Sequence, residues 1–165
     1  MDFDAFSLKK RCLPVGAARV AYYEEGTGEP VVFLHGCPFS SYIWRKVIPR
    51  LSTRYRCLAP DLLGLGDTET PARADWALPA QEAIVIEWLD ALGIARAHVV
   101  GHDHGEAVAQ LLAAHHPELP FLVRSIARFA PQTVAPSTPV PSAVHHDAGD
   151  QLEVRSGDVS ARTGS

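Results

Sequence analysis

Gly101-His102-Asp103-His104-Gly105 stands between the apolar run His98-Val99-Val100 and the run Glu106 to His116. Apolar run, tight glycine turn and helix-forming run, in that order, describe a strand reversing sharply into a helix, the arrangement of a nucleophile elbow. The glycines lie two residues either side of Asp103, where such a reversal crowds the backbone and bulky side chains do not fit. Asp103 is then expected to project from the turn. The free N–H groups and positive dipole end of the following helix would aim at the same spot, favouring an ionised carboxylate and stabilising negative charge that forms beside it. Gly-x-x-x-Gly also arises by chance, and an Asp before a helix commonly acts as its N-cap, so the motif needs structural context to count.

That context lies upstream. Pro30-Val31-Val32-Phe33-Leu34 reads as a buried parallel strand ended by the turn His35-Gly36-Cys37-Pro38. Arg56 to Asp61 is a second such run, closed by the glycine-punctuated loop Leu62 to Thr68, and Ala97 to Val100 makes a third. Between them the sequence predicts a helix over Ser41 to Leu51, opened by a Ser pair suited to capping. A second runs from Pro79 to Leu92, with Ala80, Ile84, Trp88 and Leu92 at helical spacing and Gly93 as its stop. Strands alternating with helices argue for an α/β fold: a mostly parallel sheet covered on both faces. The elbow then sits at the carboxyl end of a central strand, where open α/β sheets place their ligands.

Three stretches together resemble the α/β-hydrolase fold: Val32 to Arg45 with His35-Gly36-Cys37-Pro38, Ala59 to Asp67 with Gly64-Leu65-Gly66, and Val99 to Gly105. Within it they resemble the branch with an aspartate nucleophile, the haloalkane dehalogenases and epoxide hydrolases, and the resemblance covers about residues 17–131. It implies an S_N2-type attack by Asp103 on an sp³ carbon, giving an alkyl ester that water hydrolyses with a histidine as general base. It also implies that the backbone N–H groups of Cys37 and His104 hold the oxyanion formed during ester hydrolysis, with His35, Gly36, Gly101 and Gly105 supporting the loop. Dehalogenases of this kind usually carry Asn or Glu where Cys37 stands and Trp where His104 stands, the Trp N–H helping to hold the halide. Epoxide hydrolases often have an aromatic residue at the position of Cys37. The Pro38 to Arg45 stretch leans toward the dehalogenases.

The resemblance orders the partners as nucleophile, acid and then a histidine after the last strand, whereas only about 60 residues follow Asp103. A complete hydrolase with its cap would need roughly 250 residues or more. The expectation is therefore a partial fold over residues 1–131, lacking cap and C-terminal strands, with Leu122 to Ala130 as the next strand and an uncovered edge beyond it. Residues 132–165 contain Pro136, Pro139 and Pro141 and no aromatic side chain, a composition that cannot bury a core. For the chain as it stands this predicts a catalytically silent or impaired portion of a hydrolase. In the tail, His145, His146 and Asp147 resemble a weak metal site but read as solvated polar residues.

The remaining histidines have structural readings. His35 ties its loop together, His98 and His102 end a strand, and His115-His116 suit a helix C-terminus. Glu106, standing where the family has a small residue, is expected to reach solvent; facing Asp103 it would weaken the nucleophile.

Apolar residues make up 47% and charged residues 21%, and the net charge is −4, which gives no pull toward nucleic acid or anionic membrane. No stretch reaches membrane-spanning length, and Met1 to Phe6 is no signal peptide. Cys12, Cys37 and Cys57 read as free thiols of a reducing cytoplasm. The expected ligand is a small-molecule substrate, with no metal, no cofactor and an open oligomeric state.

Overall fold

The structure, a computed structural model, describes residues 2–116 and the backbone of residues 121–125. The elements run α1 (Phe3–Ser7), β1 (Arg11–Val15), β2 (Ala18–Glu25), β3 (Glu29–Leu34), a 3-10 helix (Ser41–Lys46), α2 (Ile48–Leu51), β4 (Tyr55–Pro60), α3 (Leu78–Ala91), β5 (Ala97–Gly101), α4 (His104–His115) and β6 (Phe121–Ser125). Six strands form one sheet in the order β1-β2-β4-β3-β5-β6. Strands β4, β3, β5 and β6 are mutually parallel, while β2 pairs antiparallel with both β1 and β4.

Strand β3 shows why the apolar runs read as continuous. Val32 and Leu34 belong to one core with Trp88 and Leu89 of α3 and Val108 and Leu112 of α4. Val31 and Phe33, pointing the other way, join Phe6 of α1, Trp44 of the 3-10 helix and Ile48 of α2. With both faces covered, alternation gives way to a run of apolar residues. Helix α3 stops where Gly93 takes φ +67°, and Ile94 N–H donates to the Leu89 carbonyl at 2.9 Å, closing the last turn as a left-handed glycine cap does.

The helix expected over Ser41 to Leu51 is instead a 3-10 helix followed by the single turn α2. Pro49 has no N–H to bond the Arg45 carbonyl, and its ring crowds that group, so a continuous α-helix cannot pass through it. Ser40 is the cap, its Oγ accepting the Tyr42 N–H at 3.3 Å. The β1–β2 hairpin, upstream of the runs that mark the parallel strands, turns at Gly16 with φ +56°. Of the strand expected over Leu122 to Ala130, positions 121–125 form β6 beside β5. Positions 126–130 and the expected tail, with His145, His146 and Asp147, lie outside the described residues.

Candidate active site

Strand β5 ends at Gly101 and α4 begins at His104, so His102 and Asp103 carry the whole reversal. Asp103 takes φ 53° and ψ −117°, the one positive φ at a non-glycine residue among the described residues. Such backbone costs on the order of 1–3 kcal/mol and persists only where the surroundings impose it. They do so here through His102 N–H on the Leu34 carbonyl at 3.0 Å and Glu106 N–H on the Asp103 carbonyl at 2.9 Å.

Three glycines make room for the turn. A Cβ on Gly101 would lie 2.5 Å from Glu106 Cα, and one on Gly105 would lie 2.3 Å from the Leu34 carbonyl oxygen. On Gly36 it would lie 2.7 Å from both Cβ and Oδ2 of Asp103. The β3 and β5 loops therefore touch, backbone against side chain.

Asp103 makes no side-chain cap of α4, which answers the N-cap alternative. Its Oδ2 instead accepts the Cys37 N–H at 3.1 Å, across 66 residues of sequence. As the first residue of α4, His104 has an N–H that no helical turn takes up. The half-buried Asp103 carboxylate thus stands beside the positive end of a twelve-residue helix and on the backbone donor of the neighbouring loop. This geometry brings Asp103, Gly36, Cys37, Gly101, His104 and Gly105 together.

His35 is fully buried and ties loops together. Leu62 N–H donates to its Nε2 at 3.0 Å, so the ring proton sits on Nδ1, 2.9 Å from the Gly36 carbonyl oxygen. Burial pushes its pKa below the ordinary 6.5, with Lys10 and His104 adding to the effect and the Gly36 carbonyl and Asp61 opposing it. The unfolded chain therefore binds a proton first as pH falls. Stability linked to His35 is complete above about 6.5 and drains by up to about 1.4 kcal/mol per pH unit below it, down to the lowered folded value. Urea midpoints should fall between pH 7.5 and 5.5 more steeply in the native chain than in His35→Gln. Equal slopes would contradict this.

Sequence reasoning missed the group beneath the loop. Asp61 is 1% exposed; its Oδ1 accepts the Ser41 N–H at 2.7 Å, and its Oδ2 accepts the Asp67 N–H at 2.8 Å and the Lys10 ammonium at 2.6 Å. Lys10 also holds Asp67 Oδ2 at 2.7 Å, and that hydrogen bond is the main cause that draws the Asp67 carboxyl below its usual range. A glycine-rich loop closing on an aspartate was the only signal available, because nothing in the sequence distinguishes Lys10 from a surface lysine.

Glu106 departs from expectation: it is 6% exposed, with Oε1 accepting from Gln110 at 3.2 Å and Oε2 buried without a hydrogen-bond partner. Gly101 lets the α4 backbone sit so close to β5 that a side chain on its first turn is covered rather than solvated. His98 lies 3.4 Å from Glu29, while His115 and His116 reach Glu82 at 2.9 and 3.5 Å. His102 sets its ring edge-on to Trp44 at 6.5 Å, its Nδ1 buried and unbonded. Cys12, Cys37 and Cys57 are free. Among the described residues no His, Cys, Asp and Glu group is arranged to hold a metal, and no helix is long and apolar enough to cross a membrane.

Sequence and fold are similar to those of known proteins. The sequence profile of the alpha/beta hydrolase fold matches residues 29–161. A haloalkane dehalogenase of Agrobacterium fabrum is 37% identical over 119 residues, covering 72% of this chain and 38% of that protein. A soluble epoxide hydrolase of a Corynebacterium species is 41% identical over 106 residues, covering 64% and 36%. The crystal structure of a haloalkane dehalogenase from Bradyrhizobium elkani superposes with a TM-score of 0.64 at 38% identity, over 67% of this chain and 38% of that one. The chain thus spans about two-fifths of the length of the curated relatives it matches.

Proposed function

Since the chain belongs to the α/β-hydrolase fold family, we propose that it carries the nucleophilic part of an aspartate-dependent hydrolase of the haloalkane dehalogenase kind. The observation that carries this reading is the strained Asp103, its Oδ2 held by the Cys37 N–H at the mouth of α4. A carboxylate is nucleophilic at neutral pH without a base to activate it, and suits displacement at a saturated carbon.

In the proposed reaction the Oδ1 lone pair forms a bond to the sp³ carbon as the carbon–halogen bond breaks, and the halide leaves with that electron pair. Oδ2 becomes the carbonyl oxygen of the resulting ester. When water adds to that carbonyl, charge collects on Oδ2, where the Cys37 and His104 N–H groups would stabilise it. The His104 ring, standing where the dehalogenases carry a tryptophan, supplies an N–H for the departing halide. The substrate is a small molecule, and the free thiols suit a reducing compartment such as the cytoplasm.

An epoxide hydrolase is the second reading, favoured by the 41% identity to the Corynebacterium enzyme; there Asp103 opens the three-membered ring and the leaving oxygen stays on the product. The two separate by mass: 1-bromobutane should add a butyl group to the chain, 1,2-epoxybutane a hydroxybutyl group. Faster labelling by the bromide supports the dehalogenase reading, and faster labelling by the epoxide supports the other. No labelling by either in folded protein would refute both.

A further inference from the structure

The segment from Gly36 to Ser41 carries the Cys37 N–H, and it is pinned at both ends to the loop that follows β4. At its start Leu62 N–H is bonded to His35 Nε2 at 3.0 Å, and at its end Ser41 N–H is bonded to Asp61 Oδ1 at 2.7 Å. Between these pins Phe39 N–H closes a turn on the Gly36 carbonyl at 3.0 Å. The second pin depends on a carboxylate whose side chain is 0% exposed. A buried carboxylate stays ionised, and stays put, only while a cation and enough N–H donors satisfy it.

The cation comes from far away in sequence. Lys10 lies in the link between α1 and β1, 51 residues before Asp61, and its side chain is 3% exposed. Its ammonium sits 5.8 Å from the centre of the Phe6 ring and reaches Asp61 Oδ2 at 2.6 Å. Gly66 packs against the same oxygen so closely that a Cβ there would lie 2.2 Å from it. Asp61 has no room to swing toward water in search of another partner.

We propose that Lys10 is a positioning residue for the Asp103 site: by neutralising Asp61 it fixes Ser41 and the turn before it, and so keeps the Cys37 N–H on Asp103 Oδ2. The kinetic part of this inference rests on Asp103 as nucleophile; the structural part does not. Without the ammonium, Asp61 carries an uncompensated charge that its two backbone donors alone must hold. The cheapest relief is to open the loop pair and admit water, which loosens Ser41 first and Cys37 with it.

The test uses the 165-residue chain and Lys10→Met, which keeps most of the buried stem and removes the charge. Amide hydrogen exchange should quicken at Ser41 and Cys37 by about tenfold or more, while Val32 and Phe33 in β3 change by less than about twofold. With saturating 1-bromobutane, ester formation should slow by about 10²-fold, since small misplacements of a reacting group have effects of that order. The concentration giving half-maximal rate should change little.

Unchanged exchange at Ser41 and Cys37 would overturn the proposal. Uniformly faster exchange, β3 included, would also overturn it, by making Lys10 a stabiliser of the whole fold. Should Lys10→Met fail to fold, Lys10→Met with Asp61→Asn removes both buried charges while the Asn Oδ1 can still accept the Ser41 N–H. Exchange at Ser41 and Cys37 should then stay within about twofold of the native chain, and markedly faster exchange at these two amides with β3 unchanged overturns the proposal. If the native chain forms no ester, the nucleophile reading fails while the exchange data still decide the role of Lys10.

Discussion

Gly105→Ala is expected to destabilise the fold by about 2–3 kcal/mol, although alanine is the better helix former by about 1 kcal/mol. The added Cβ would lie 2.3 Å from the Leu34 carbonyl oxygen, 2.5 Å from the Leu34 carbonyl carbon and 2.7 Å from the His35 carbonyl oxygen. All three are backbone atoms, so no side chain can swing aside, and either α4 or the end of β3 must move. Overpacking of this kind outweighs the propensity gain.

Movement at Leu34 and His35 would also shift the Cys37 N–H, so labelling of Asp103 should slow as well. Gly93→Ala is the control: φ is +67° but no atom lies within 4 Å of its Cβ position, leaving only a conformational penalty of about 1 kcal/mol. Urea denaturation of both variants separates close approach from backbone strain. A Gly105→Ala chain as stable as the native one would refute the steric account of the elbow.

The second large effect concerns turnover. The 165-residue polypeptide assayed by itself is expected to react once and stall as the alkyl ester. Ester formation needs the carboxylate and a leaving group, whereas ester hydrolysis needs a base to activate water. His35 cannot be that base, since both its ring nitrogens are engaged within the loops. Losing one member of a catalytic unit typically lowers the rate by about 10³ to 10⁶. Halide should therefore appear in a burst of about one equivalent per chain, because it leaves as the ester forms and the ester is then cleared far more slowly. Sustained release over many equivalents would contradict this, and His145→Ala and His146→Ala would then identify a base in residues 126–165.

The elbow was legible because its constraints are local and steric. Gly101 and Gly105 must lack a Cβ for α4 to leave β5 as it does, and that requirement is written in adjacent residues. The parallel strands were legible for a similar reason, since burial on both faces turns each into a β-branched run.

What the sequence hid are contacts between distant residues of ordinary type. Lys10 reads as one half of a Lys-Lys pair on the surface, and only the approach of the α1–β1 link to the β4 loop buries it. The Glu82 partner of His115 and His116 is equally silent, resting on the packing of α3 against α4. Glu106 was misjudged because its burial follows from how closely α4 approaches β5, not from its own chemistry. Pro49 did carry a readable break, which the apolar spacing from Ser41 to Leu51 masked.

The central claim is that Asp103 is a nucleophile, and locating the label tests it most directly. After incubation of the folded chain with 1-bromobutane, intact mass should show one added butyl group, and peptide fragmentation should place it on Asp103. Asp103→Asn, with an amide in place of the carboxylate, should take up none. A butyl group found elsewhere, on the exposed Cys37 thiol for instance, or one that persists in folded Asp103→Asn, would contradict the account.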